Sequence, residues 1–272
     1  MAERHAAFVG SVPVNYDRYL GPILFHRYAD DLAARLPVSP RIRILEVACG
    51  TGILTERLTR RLGGQGTVVA TDLNEAMIAH AQTRIPGGPG LEWRQADGTS
   101  LPFPDRAFDA VVCQFGLMFF PDKSAGMREA LRVLRPGGTY LFNVWDAMEK
   151  NAVIRIAHDT IGTFFPGDPP QFYKTPVSLH DTEPVRGLLD ATGFTQVQCV
   201  TVEKVGQSPS AEDAAIGLVE GNPVLGTIME RQPEALSDIK AAVARNVAAE
   251  LGDRPVRCHL RAHVFSARRP GA

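Results

Sequence analysis

The residues with the clearest chemical potential in this chain are three carboxylates and a pair of glycines, each placed where an apolar run stops. Glu46 lies at the end of Arg41-Ile42-Arg43-Ile44-Leu45-Glu46-Val47, and Ala48-Cys49-Gly50-Thr51-Gly52 follows directly. Asp72 closes Thr67-Val68-Val69-Ala70-Thr71, and Asp97 closes Leu91-Glu92-Trp93-Arg94-Gln95-Ala96. Glycines carry no Cβ, so the backbone can turn sharply and approach a ligand closely. The unpaired N–H groups of a following helix start favour an anionic or strongly polar ligand group. A carboxylate about twenty residues past such a loop is placed to accept hydrogen bonds from both ribose hydroxyls of a nucleoside. Asp72 also fits a helix N-cap, but its spacing from Gly50 favours the ribose. Leu73 would then sit against the base, with Met77 as a soft apolar wall. Asp97, just before Gly98, can accept from an adenine amino group.

These residues need a particular scaffold. Beyond the glycines, Leu54, Leu58 and Leu62 recur at helical spacing. Strands are expected at 67–71, 91–96, 108–113 and 139–145, and helices at 74–85 and 123–134. Five strands alternating with helices mean right-handed parallel crossovers and a doubly wound sheet. In such sheets ligands bind beyond the carboxyl ends of the strands, where strand order reverses. Gln114 and Phe115 end the fourth strand at that edge, and Gln114 is the polar group there. The Leu117-Met118-Phe119-Phe120 cluster reads as helix core. The dinucleotide fingerprint would need a third glycine where Thr55 stands. A phosphate-gripping loop would need Gly-Lys-Ser/Thr, which is absent.

Glu46-Val47-Ala48-Cys49-Gly50-Thr51-Gly52 resembles the first motif of class I S-adenosylmethionine-dependent methyltransferases. Ala70-Thr71-Asp72-Leu73-Asn74, Asp97-Gly98 with Leu101-Pro102-Phe103, Phe108-Asp109-Ala110-Val111 and Leu134-Arg135-Pro136-Gly137-Gly138 extend the likeness to the type 11, ubiquinone/menaquinone-biosynthesis-like group. The resemblance covers about half the chain. It implies a Rossmann-like α/β fold: a mostly parallel seven-stranded sheet with helical cap insertions. The last strand, near 256–268, would insert antiparallel between the fifth and sixth. S-adenosyl-L-methionine would be the cofactor and S-adenosyl-L-homocysteine the product. The expected cofactor-binding residues are Tyr19, Glu46, Ala48, Cys49, Gly50, Gly52, Asp72, Leu73, Met77, Asp97, Gly98, Gln114 and Phe115. Ala48 departs from the pattern, because many relatives carry glycine there.

The flanks should choose the acceptor. A turn-rich stretch at 16–22 precedes a helix over 23–36, and Tyr16, Tyr19 and His26 could line a pocket. Phe164-Phe165-Pro166-Gly167-Asp168-Pro169-Pro170-Gln171-Phe172-Tyr173 reads as an aromatic, proline-rich lid loop. Helices are also expected at 150–165, 183–192, 211–220 and 233–251, and a sixth strand at 196–205. One domain is expected over 1–272: a helical cap (1–40), a cofactor-binding core (41–146) and a substrate-side half (147–272).

The totals bound the function. Net charge is −1 over 272 residues, so no global electrostatic attraction to nucleic acid exists. Cys49, Cys113, Cys199 and Cys258 are scattered, which argues against metal or disulfide frameworks and for a cytoplasmic protein. No long apolar run suits a membrane span, and Met1-Ala2-Glu3-Arg4-His5 lacks a signal-peptide pattern. The expected function is methyl transfer to the oxygen or carbon of a small, largely apolar acceptor. His26, His158, His180 and Asp181 are candidate bases that no spacing singles out, so the catalytic residue stays open, as does a homodimer. A non-catalytic cofactor-binding relative and an NAD(P)-dependent oxidoreductase are the rival readings.

Overall fold

The computed structural model describes residues 8, 10–37 and 39–271; the Met1–His5 stretch lies outside them. The apolar runs form β1 (Arg43–Val47), β2 (Thr67–Asp72), β3 (Leu91–Gln95), β4 (Phe108–Gln114), β5 (Leu134–Trp145), β6 (Thr195–Ser208) and β7 (Val256–Arg268). They join in one seven-stranded sheet in the order β3-β2-β1-β4-β5-β7-β6. The first five strands pair in parallel, and β7 runs antiparallel to both β5 and β6. Strand order reverses between β1 and β4, so the carboxyl ends of these two strands open a crevice.

Burial explains the strand composition. Ala110, Val111 and Val112 of central β4 are fully buried, as a parallel strand covered on both faces requires. Across β5 and β7, Phe142 and Phe265 are register partners whose rings stack at 5.0 Å and 7°. This aromatic pair pins the inserted strand.

The helices are α1 (12–35), α2 (Ile53–Leu62), α3 (Glu75–Arg84), α4 (Lys123–Val133), α5 (Ala152–Thr163), α6 (Thr182–Thr192), α7 (Ala211–Glu220), α8 (Val224–Arg231) and α9 (Leu236–Leu251). Leu54, Leu58 and Leu62 turn the apolar stripe of α2 into the core, each at most 4% exposed. Truncating one to alanine would cost about 2–5 kcal/mol. Gly63 ends α2 in the left-handed conformation, φ 53°, which glycine adopts without a Cβ clash.

Three segments differ from the sequence expectation. Residues 16–22 are helical, and α1 runs unbroken from Val12, with Tyr16–Phe25 wound as a π-helix. Pro22 sits inside it and has no N–H to donate to a regular ladder. The aromatic loop at 164–173 is no lid: Phe165, Phe172 and Tyr173 are at most 4% exposed, and the Tyr173 hydroxyl donates to Leu218 O. Its aromatics pack as core. α8 was not expected, since Pro223 and Gly226 mask a short helical run.

Candidate active site

Turns at the carboxyl ends of β1, β2, β3 and β4 surround a cavity of about 410 Å³. Gly50, Asp72 and Asp97 all line it, together with Ala48, Leu73, Met77, Gly98, Gln114 and Phe115. A recess of about 20 Å³ continues past Gly50 to Glu46 and Cys49. Tyr16 borders both spaces. α1 therefore roofs the crevice, and Phe8, Val12 and Met77 form a small apolar cluster beside it.

Asp72 organises the floor. Its Oδ2 accepts the Gly50 N–H at 2.8 Å, and its Oδ1 accepts the Asn74 N–H at 2.8 Å. Each oxygen keeps acceptor capacity for a ligand hydroxyl. Burial raises its carboxyl above the usual range despite these bonds. Glu46 is 1% exposed and accepts the Thr55 hydroxyl at 2.6 Å. Burial, reinforced by nearby Asp72, pushes it up to about 8. Thr55, where a dinucleotide site would have glycine, thus serves a buried carboxyl. Asp97 Oδ1 accepts from the Thr99 N–H and hydroxyl, both at 2.7 Å, leaving Oδ2 for a ligand.

Two backbone features shape the wall. Ala48 and Phe115 both have positive φ, 57° and 50°, a costly conformation for residues with side chains. A Cβ on Gly116 would stand 2.5 Å from Ala48 Cβ and 2.8 Å from Cys113 Sγ. Glycine at 116 is what accommodates the extra methyl of Ala48.

A polar latch ties the roof to the floor. Asp17 of α1 accepts the Thr51 hydroxyl at 3.1 Å and an Arg84 N–H at 2.7 Å, with His80 Nε2 at 3.6 Å. Sequence reasoning missed Asp17, whose partners are distant in the chain. Phe119 and Phe120, expected as helix core, line the cavity.

Two expected cofactor residues stand elsewhere. Tyr19 is absent from both linings; its ring lies under the Arg18 guanidinium at 5.2 Å, one helical step from Tyr16, which takes the wall. Gly52 begins α2 at φ 80° with Ile85 and Trp93 each 3.0 Å from the place of a Cβ. It permits close helix packing and does not face the cavity. None of the four candidate bases lines the cavity either. His26 packs on Gly21, the His180 ring meets Val177 O, and Asp181 caps α6. His158 lies on α5.

The family described as "Methyltransferase domain" matches residues 44–138. The ubiquinone/menaquinone biosynthesis C-methyltransferase UbiE of Saccharophagus degradans is 34% identical over 170 residues, 57% of this chain and 68% of the relative. UbiE of Teredinibacter turnerae is 30% identical over 213 residues, 72% of this chain and 85% of the relative. The chain belongs to the class I S-adenosylmethionine-dependent methyltransferases, in the UbiE-like group. Its cofactor is S-adenosyl-L-methionine and its product S-adenosyl-L-homocysteine. The fold agrees. The YcgJ protein of Bacillus subtilis superposes with a TM-score of 0.61 at 16% identity, over 91% of this chain and all (100%) of that one. The phosphoethanolamine N-methyltransferase 2 of Haemonchus contortus with S-adenosyl-L-methionine gives 0.60 at 17% identity, covering 95% and 56%.

The residues present suit this methyltransferase cofactor. Gln114 Oε1 is buried with no partner among the described residues, and Gln114 borders both the cavity and the recess. Gly50 at φ 54° leaves space toward Met77 that a side chain would take. Asp72 on the cavity and Glu46 on the recess offer acceptors to a cationic ligand.

Proposed function

We propose that the enzyme methylates a carbon, or an already ionised oxygen, of a small, largely apolar and planar acceptor such as a reduced quinone-like phenol. The supporting observation is the composition of the cavity wall. Its titratable side chains are Tyr16, Asp72 and Asp97, with Glu46 and Cys49 in the recess. None is an accessible imidazole or amine. Burial raises the Tyr16 hydroxyl, so it donates a hydrogen bond and does not accept a proton. An acceptor served by this wall brings its own electron-rich atom, and general-base assistance is dispensable. Phe8, Phe115, Phe119 and Phe120 supply apolar contact. The similar UbiE proteins are named as C-methyltransferases of quinone biosynthesis.

When bound, the cofactor supplies a methyl carbon on a sulfonium whose leaving group is a neutral thioether. The chain holds and aligns. Asp72 would accept from the ribose hydroxyls and Asp97 from the adenine amino group. Leu73 and Met77 would flank the base, while Glu46, Ala48, Cys49, Gly50 and Gln114 would hold the methionine end, with Phe115 on the same wall. Such positioning supplies several kcal/mol of barrier reduction. On this reading residues 41–146 carry the cofactor and α1 roofs the cavity, while β6 and β7 complete the same sheet, as parts of one domain. The four unpaired cysteines fit a reducing compartment, and we assign the enzyme to the cytoplasm. No helix among the described residues is long and apolar enough to cross a membrane.

The test is incubation with ¹³C-methyl cofactor and separate alkylated hydroquinone, phenol, fatty acid and amine acceptors. Carbon NMR separates ring-methyl from methoxy products. Transfer to amines alone, with none to hydroquinones or phenols, would sink the assignment.

A further inference from the structure

Asn143 is fully buried in β5, in parallel register with Gln114 of β4. A position shielded from water inside a parallel sheet ordinarily holds an aliphatic side chain, and a polar one there costs free energy unless it is hydrogen-bonded. Asn143 is bonded at one end only. Its Oδ1 accepts the Phe115 N–H at 2.9 Å, while its Nδ2 has no partner among the described residues.

The bond it makes falls on a strained residue. Phe115 has φ 50°, a left-handed conformation that a bulky side chain keeps only where its surroundings impose it, and such residues gather at functional sites. Trp145 lies two residues beyond Asn143 and so shares its face of the sheet. Its indole stacks on the Phe115 ring at 3.9 Å and 5°. Phe115 is thus held at its backbone by Asn143 and at its ring by Trp145. This double hold sits where Gln114, Phe115 and Gly116 make the cavity wall.

We infer that Asn143 is a positioning residue for methyl transfer: by accepting the Phe115 N–H it fixes the left-handed turn that presents Gln114 and Phe115 to the cofactor cavity. Without it the turn relaxes toward negative φ, the Phe115 ring leaves Trp145, and the Gln114 amide loses its place. Asn143 itself is not among the residues that line the cavity or its recess.

The inference rests on cofactor binding at this cavity and not on the identity of the acceptor. Its test is calorimetric titration with S-adenosyl-L-homocysteine of the wild type, Asn143→Leu and Asn143→Asp, with thermal unfolding measured alongside. Asn143→Leu is close in size and deletes the acceptor. Asn143→Asp keeps an oxygen facing the Phe115 N–H and loses no bond at the unpartnered end. The expected result is about ten-fold or greater weakening in the leucine variant and about three-fold or less in the aspartate variant, both folded. Equal affinity in wild type and folded Asn143→Leu overturns the inference, as does equal loss in both variants. Should Asn143→Leu fail to fold, Asn143→Ala, which also deletes the acceptor but adds no bulk, takes its place: affinity equal to wild type in folded Asn143→Ala overturns the inference. A wild type that does not bind would instead count against the cavity as the cofactor site.

Discussion

The backbone N–H of Gly50 donates to Asp72 Oδ2 at 2.8 Å, so the turn that ends β1 and the carboxylate that ends β2 form one unit. Removing the carboxylate therefore deletes the proposed ribose acceptor and loosens the glycine turn together. Asp72→Ala should weaken S-adenosyl-L-homocysteine binding by about a hundred-fold, roughly 2.8 kcal/mol. Asp72→Asn, which keeps one oxygen, should lose less. Titration calorimetry on both variants measures the difference, and undiminished affinity in Asp72→Ala would remove Asp72 from the site.

Glu46 sets a pH dependence. Burial lifts its carboxyl from an ordinary 4.5 to about 8. Between those values the native chain keeps a proton that the unfolded chain has released. Stability of the cofactor-free protein should therefore fall as pH rises through that window, by up to about 1.4 kcal/mol per unit, and level off on either side. Burial raises Asp72 as well, with the same sign. Urea unfolding at several pH values should show a shallower slope for Glu46→Gln.

The same carboxyl predicts proton release. A cationic cofactor favours the ionised form of nearby Glu46, so binding near neutral pH should expel a proton. Calorimetry in buffers of different ionisation enthalpy reads that number directly, and Glu46→Gln should reduce it.

Ala48 and Gly116 are matched in volume. Gly116→Ala would bring a Cβ to 2.5 Å from Ala48 Cβ, an overpacking cost of about 1–3 kcal/mol. Adding Ala48→Gly should recover part of it by opening space and relieving φ 57° at position 48. A double-mutant cycle on unfolding free energy tests the coupling.

The Asp17 latch should govern release. Asp17→Ala frees Arg84 and Thr51 from α1, and α1 roofs the cavity. S-adenosyl-L-homocysteine should then dissociate several-fold faster, with secondary structure unchanged by circular dichroism. Stopped-flow displacement gives that rate, and Arg84→Ala should not add fully to it.

The sheet was legible because its period and punctuation are local: Gly50, Asp72 and Asp97 follow apolar runs that a reader can count. So was the place of β7, through the family resemblance. What escaped notice depends on partners far along the chain. Tyr19 and Tyr16 look alike as sequence, and only the winding of α1 decides which faces the crevice. Gly52 reads as a ligand glycine, yet its packing against Trp93 lies forty-one positions away. Phe164 to Tyr173 has a lid's composition, but its Phe165, Phe172 and Tyr173 side chains are buried in the core while the tip at 166–168 stays exposed. Asn143 sits in an apolar run that advertises nothing until its neighbour Phe115 is placed.

Because β7 lies between β5 and β6, the order of synthesis and the order in space conflict. A ribosome releasing this chain delivers β6 with no neighbour to receive it, and β5 with one side bare. Both must wait, solvated, for residues 256–268 to emerge. A nascent chain halted at residue 250 would expose two unzipped strand edges, the kind of surface that chaperones grip and aggregates seed from.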